Sequence, residues 1–164
     1  MTHRDEVDEV VDSWSRERPD LDTSPMLVFS RITRLSKRLG AYRQAAFERS
    51  DLDTWEFDVL AVLRRAGTPH RQSTKTLVIE TMVSSGTMTN RIDRLVERGL
   101  VERQTDPNDG RGVLVELTAD GLARVDAAIT RLVDAEEELL RTLSAAERER
   151  LAVLLRKLRT GFDD

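Results

Sequence analysis

The strongest constraint on the fold lies between Ser73 and Leu117, where two short amphipathic segments meet at a Ser84-Ser85-Gly86 break and run on into alternating β-type sequence. The first segment spans Ser73 to Met82 with Leu77 and Val78 inward. The second spans about Thr87 to Arg98, with Met88, Ile92 and Leu95 on one face at helical spacing. Gly99 supplies a C-cap. Leu100 to Gln104 and Val113 to Leu117 then read as two strands, joined by the polar, turn-forming run from Thr105 to Gly112. Helix, tight break, helix and β-ribbon in that order predict a winged helix-turn-helix. In such a fold the second helix can enter a DNA major groove roughly 12 Å wide, while the hairpin tip reaches the flanking backbone or minor groove.

Longer stripes flank this segment. Val28, Ile32, Leu35, Leu39, Tyr42 and Ala46 recur at helical spacing over about six turns. Asp51-Leu52-Asp53 interrupts that run. Asp53 stands three residues before Glu56, an N-cap followed by a first-turn carboxylate, and Leu52, Val59, Leu60 and Leu63 keep helical spacing up to Gly67-Thr68-Pro69. Downstream, Thr118 reads as a cap. Leu122, Val125, Ile129, Leu132, Leu139, Leu140 and Leu143 form a stripe that Glu136 breaks. Ser144 to Glu147 reads as a capping box that opens a last helix carrying Leu151, Leu154, Leu155, Leu158 and Phe162. At the other end, Val7, Val10, Val11 and Trp14 mark a first helix that Pro19 closes.

The expected class is therefore mainly α with a small β-wing: a winged helix-turn-helix plus long dimerisation helices. Residues 1–25 form an N-terminal helix and arm, 26–50 and 119–164 the dimerisation helices, and 51–118 the winged unit. The three long stripes carry more apolar surface than one small winged core can cover. Burying them across a two-fold axis would set two reading helices one DNA turn apart, roughly 34 Å. An intramolecular helical bundle is the alternative.

Composition excludes other classes. The 164 residues include no cysteine, which removes disulfides, thiolate metal sites and a cysteine nucleophile. His3 and His70 leave little for a metal site or a histidine-based triad. No Gly-rich phosphate loop or Ser–His pairing is visible, and the carboxylates Asp106 and Asp109 sit on a loop without a visible pocket. An enzyme is not expected and no cofactor is implied. No apolar run approaches the roughly 20 residues of a membrane span and no signal-type segment leads the chain, so a cytoplasmic protein is the default expectation. The net charge of −4 opposes nucleic-acid binding, but its distribution does not. Residues 1–25 hold 3 basic and 8 acidic groups, residues 26–118 hold 15 and 12, and residues 119–164 hold 8 and 10.

Opposite the core face of the second short helix lie Ser85, Thr87, Thr89, Asn90, Arg91 and Arg94. Asn and Arg can read adenine and guanine edges bidentately, and Ser and Thr can hold phosphate or base groups. Asp109 and Arg111 stand at the wing tip, where an arginine has the reach for a narrow minor groove. The alternative is an ordinary solvated helix face on which Asp93 and Glu97 pair locally with these cations.

The run from Ser85 to Arg103, SGTMTNRIDRLVERGLVER, resembles the recognition helix and first wing strand of the MarR family of bacterial transcriptional regulators. Asp106 to Arg111 followed by Val115 to Gly121 resembles that family's wing and the start of its long dimerisation helix. The resemblance covers residues 26–160. It implies a homodimer that binds a palindromic operator on double-stranded DNA, usually as a repressor released by a small ligand. The family usually carries a second wing-tip arginine where Gly110 stands here.

The segment from Trp14 to Pro25, and Trp55 to Leu60, are similar to the urate-responsive subgroup of the family, which has an extra first helix. By that resemblance Trp14, Asp58, Arg91 and Arg103 would be the ligand residues. The chemistry is coherent: urate is a flat anion at neutral pH, an indole can stack on it, two guanidiniums can neutralise it, and Asp58 can accept its ring N–H groups. Each residue also has a plain structural role open to it: Trp14 as a docking anchor, Asp58 as a partner of Arg91, Arg103 as a phosphate contact. A phenolic anion or another purine is the rival ligand. A small enzyme and a helical protein-interaction module are the rival classes.

Overall fold

The computed structural model describes residues 4–106 and 109–162, with the side chains of 106–111 also outside the description. Among the described residues the order is α1 (Glu6–Glu17), α2 (Met26–Glu48), α3 (Thr54–Arg65), β1 (Arg71–Ser73), α4 (Thr74–Thr81), α5 (Ser85–Glu97), β2 (Val101–Asp106), β3 (Asp109–Leu117), α6 (Ala119–Leu140), α7 (Ala145–Arg159) and a 3₁₀ turn (Thr160–Phe162). Contacts divide the chain into two compact units, Met1–Gln44 and Ala45–Asp164. No described helix is long and apolar enough to cross a membrane.

In the first unit α1 starts with a capping box. The Asp5 carboxylate accepts from the Val7 and Asp8 N–H groups at 2.8 and 3.2 Å, and Asp8 accepts from the Asp5 N–H at 2.8 Å. Arg31 of α2 reaches both carboxylates at 2.9 Å. Its guanidinium, with the two N–H donors, holds the Asp5 carboxyl down to about 2. Val7 and Val11 are buried, while Trp14 stays 48% exposed.

The second unit is a winged helix-turn-helix on an apolar core. Phe47 stacks on Phe57 with ring centroids 4.0 Å apart, and Leu60, Leu63, Leu77, Met88, Ile92, Leu95, Leu100 and Val115 are fully buried. Ser73 caps α4 and Ser84 caps α5, each accepting the N–H three residues on, at 3.1 and 3.2 Å. Thr118 and Ser144 cap α6 and α7 as the sequence predicts, the latter in a full capping box. At the start of α6 the chain passes against the Leu100 carbonyl so closely that a Cβ at Gly121 would lie 3.0 Å from the Leu100 carbonyl carbon, with the oxygen nearer still.

Four expectations are corrected. The ribbon has three strands, not two: β1 pairs antiparallel with β3 (Arg71↔Glu116, Ser73↔Leu114), giving the order β1-β3-β2. A three-residue strand is too short to show an alternation, and its last residue, Ser73, read as the start of α4. The polar run 105–112 is not a long loop, since β2 continues to Asp106 and β3 begins at Asp109. Backbone ladder bonds carry a strand through polar residues that lack an apolar face. α5 starts at Ser85, so Ser85 and Gly86 belong to its first turn, Ser84 is the cap, and the break lies at residues 82–84. The apolar stripe of α6 is shorter than its spacing suggests: the helix ends at Leu140, so Leu143 falls in the turn before α7.

Candidate nucleic-acid interface and ligand site

The α4–α5 turn is made by Met82, in a left-handed conformation (φ 53°), together with the Ser84 cap. Buried Met88, Ile92 and Leu95 fix the inner face of α5, which turns Ser85, Thr87, Thr89, Asn90 and Arg94 outward. The hydroxyls are preset locally. Thr89 Oγ1 donates to the Ser85 carbonyl at 3.0 Å, and Thr87 Oγ1 lies 2.9 Å from Ser84 Oγ. Asp109 and Arg111 fall on β3, and their side chains lie outside the described residues.

The cations do not pair along their own helix. Asp93 turns instead to Arg103 on β2, at 2.6 Å, and Arg91 sits half-buried with its guanidinium 5.6 Å from the centre of the Trp55 ring on α3. Among the described residues Arg94 has no ion pair and points to solvent. Trp55, Gly86, Thr87, Asn90, Arg91 and Arg94 line an open depression of about 420 Å³. It combines an indole face with two guanidiniums and a side-chain amide, a set that can stack on a planar ring and hydrogen-bond its edge.

Three of the four sequence-predicted ligand residues belong to the second unit. Asp58 lies half-buried on α3, one helical turn after Trp55 and on the same side. Arg91 and Arg103 are placed as described above. Trp14 belongs to the first unit, where it lines a concavity of about 410 Å³ with Glu9, Val10, Ser13 and Glu17. Trp55 is the residue that sequence reasoning missed as a partner of Arg91. It was visible in the resembling run from Trp55 to Leu60, but an aromatic residue at the start of a helix is the pattern of an ordinary core anchor.

The far end of the reading helix is tied down by a charge network. Arg98, the C-cap of α5, donates to the fully buried Glu56 at 2.5 Å and to the Asp51 carboxylate at 2.7 Å. Glu56 also accepts from the Asp53 N–H at 2.9 Å. Asp51 in turn takes Arg124 of α6. The Arg124 hydrogen bond, with the nearby Arg98 charge, holds the Asp51 carboxyl below the usual range. The recognition helix is thereby joined to α3 and α6 at one point.

A family model described as the MarR family matches residues 50–112. The chain is 36% identical over 150 residues to the HTH-type transcriptional regulator PecS of Dickeya dadantii, covering 92% of this chain and 90% of PecS. It is similar to a mutant MarR from E. coli complexed with operator DNA, at 29% identity and a TM-score of 0.69 over 88% of this chain and 96% of that one. It is also similar to BpsR of Bordetella bronchiseptica, at 32% identity and a TM-score of 0.60 over 79% of this chain and 98% of that one.

Proposed function

The chain belongs to the MarR family of transcriptional regulators, and from that premise we propose that it binds a palindromic operator as a homodimer and is released by a flat anionic aromatic ligand, urate in the first instance. The observation that carries the DNA reading is α5. Its outward face offers Thr87, Asn90 and Arg94 on a helix-turn-helix next to a β-wing, and among the described residues Arg94 makes no ion pair. The relative from E. coli solved with operator DNA supports the same use of the fold. Repression is the expected sign of control.

Dimerisation rests on exposed apolar surface. α7 has no buried residue, yet Leu151, Val153, Leu154 and Leu155 stand 42–54% exposed on it, and Leu35, Leu39 and Tyr42 are exposed on α2. Exposed apolar stripes of that length mark an interaction surface, and a two-fold axis is the commonest way to close one.

Urate would be held by Arg91 and Arg103, with Asp58 accepting ring N–H groups. Arg91 belongs to the reading helix, so a ligand that takes its guanidinium has different contacts in the DNA-bound and released states, as an effector requires. A second reading, a hydroxylated aromatic carboxylate, is favoured by BpsR, whose DNA binding is regulated by 6-hydroxynicotinic acid. The test is a gel shift with the adjoining intergenic DNA, titrated with urate and with 6-hydroxynicotinic acid. A sequence-preferring complex with a steep salt dependence, dissolved by urate, is expected. The variants Asp58→Ala and Arg103→Ala should lose the urate response, and Asp58→Ala should do so while still binding DNA. Absence of any sequence-preferring shift overturns the regulator reading, and variants that respond like the parent overturn the ligand site.

A further inference from the structure

Both arginines of that ligand site are already engaged within the protein, Arg91 on Trp55 and Arg103 on Asp93. The second engagement crosses elements. Arg103 lies on β2, opposite Val115 of β3, and Asp93 lies on α5 one residue before Arg94. The pair, 2.6 Å apart with side chains 38% and 51% exposed, is therefore a link between the wing and the reading helix.

We propose, resting on the effector reading above, that Asp93 is a built-in competitor for the effector: it holds Arg103 in the empty protein, and an anion that takes Arg103 leaves the Asp93 carboxylate unneutralised on the DNA-reading helix. A carboxylate and a flat oxyanion present the same kind of acceptor to a guanidinium, so one displaces the other with little change in hydrogen bonding. The pair is exposed and easily exchanged. Its release has a direction, however. A bare negative charge beside Arg94 and Asn90 meets the DNA phosphates and weakens the complex without any large movement of the helix. By reciprocity, DNA favours the closed pair and so lowers the affinity for the anion.

Asp93→Asn tests both effects at once, because it removes the competitor and the unmasked charge together. Urate titrated calorimetrically into the parent, D93N, R103A and the double variant should bind D93N about five-fold more tightly than the parent, the value of one exposed pair. The double variant should bind like R103A alone. In gel shifts, D93N should hold operator DNA at saturating urate with about five-fold less weakening than the parent. A tightening that persists in the R103A background reduces Asp93 to general repulsion of anions and overturns the proposal, as does unchanged urate affinity in D93N. Thermal melts without ligand distinguish the two levels of inference. D93N and R103A should each lower the midpoint by about 1–3 °C, with no further loss in the double variant. Additive losses remove the pair itself, whereas non-additive losses in a parent that takes up no urate keep the pair and overturn the effector reading and the competitor role.

Discussion

Replacing Gly121 by alanine tests how tightly the wing is locked to α6. Two terms of opposite sign act. Alanine inside a helix is favoured over glycine by about 0.5–1 kcal/mol. Against that, the new methyl would sit 3.0 Å from the Leu100 carbonyl carbon and 3.3 Å from its Cα, inside the 3.5–4.0 Å optimum for carbon atoms, with the carbonyl oxygen closer still. The obstacle is backbone, so no side-chain rotation relieves it, and the start of α6 must withdraw from β2 by about 1 Å. The same junction holds two hydrogen bonds, Thr118 N–H to the Leu100 carbonyl at 3.1 Å and Thr118 Oγ1 to the Gly99 carbonyl at 2.7 Å, each worth about 1 kcal/mol. Overpacking of about 1–3 kcal/mol plus weakened bonds, less the helix gain, leaves a net loss of about 3 kcal/mol. For a chain of this size that is a fall in melting midpoint of about 6–12 °C. Melts at fixed protein concentration, with Gly40→Ala as control, measure it. At Gly40 a Cβ meets nothing within 4 Å, so only the helix gain remains and the midpoint should rise slightly. A Gly121→Ala midpoint equal to or above the parent's refutes the close approach.

Three further outcomes are expected. Arg98→Ala leaves the fully buried Glu56 carboxylate without its cation and should cost about 3 kcal/mol in urea unfolding, with much of the loss recovered by adding Glu56→Gln; a loss under about 0.5 kcal/mol contradicts the network. Leu154→Asp on α7 should convert a dimer into a monomer by light scattering and reduce operator affinity with it, while a dimer of unchanged mass moves the interface elsewhere. The Asp5 carboxyl is depressed from 3.8 to about 2, so its stabilisation of α1 is complete above about pH 4 and is lost as the pH falls towards 2; Asp5→Asn should remove that acid dependence from the helical circular dichroism, and an unchanged acid profile rejects it.

What the sequence made legible follows from which forces leave a trace in it. The caps at Asp53, Thr118 and Ser144 and the inward positions Leu77, Met88, Ile92 and Leu95 all act through local spacing, and all stand where the pattern placed them. β1 escaped because its partner strand lies some forty residues away and three residues carry no period. The same holds for the charges. The one carboxylate three or four residues from either arginine on α5, Glu97 after Arg94, was visible and left local pairing open as the alternative. The partners actually taken, Trp55 on α3 and Asp93 with Arg103 on β2, depend on how the helices and wing pack. The buried Glu56 looked like a first-turn carboxylate of the kind that favours a helix N-terminus. Its burial against Arg98, 42 residues on, had no sequence signal.

The arrangement around α5 also bears on how one short helix could both read DNA and register a ligand. Arg91 and Arg94 are one turn apart and chemically identical, so spacing alone gives them the same role. Packing separates them: Arg91 is half-buried on an indole, and Arg94 is exposed with no ion pair among the described residues. The stacked guanidinium has less conformational freedom to lose on meeting a small planar anion, and the exposed one has the reach that a groove requires. On the proposed function, effector and operator then act on adjacent turns of one rigid helix anchored at its far end by Arg98. A ligand that draws on Arg91 or Arg103 acts between that anchor and the reading residues Thr87 and Asn90. A small displacement there is passed to the DNA face directly, without a relay through the core.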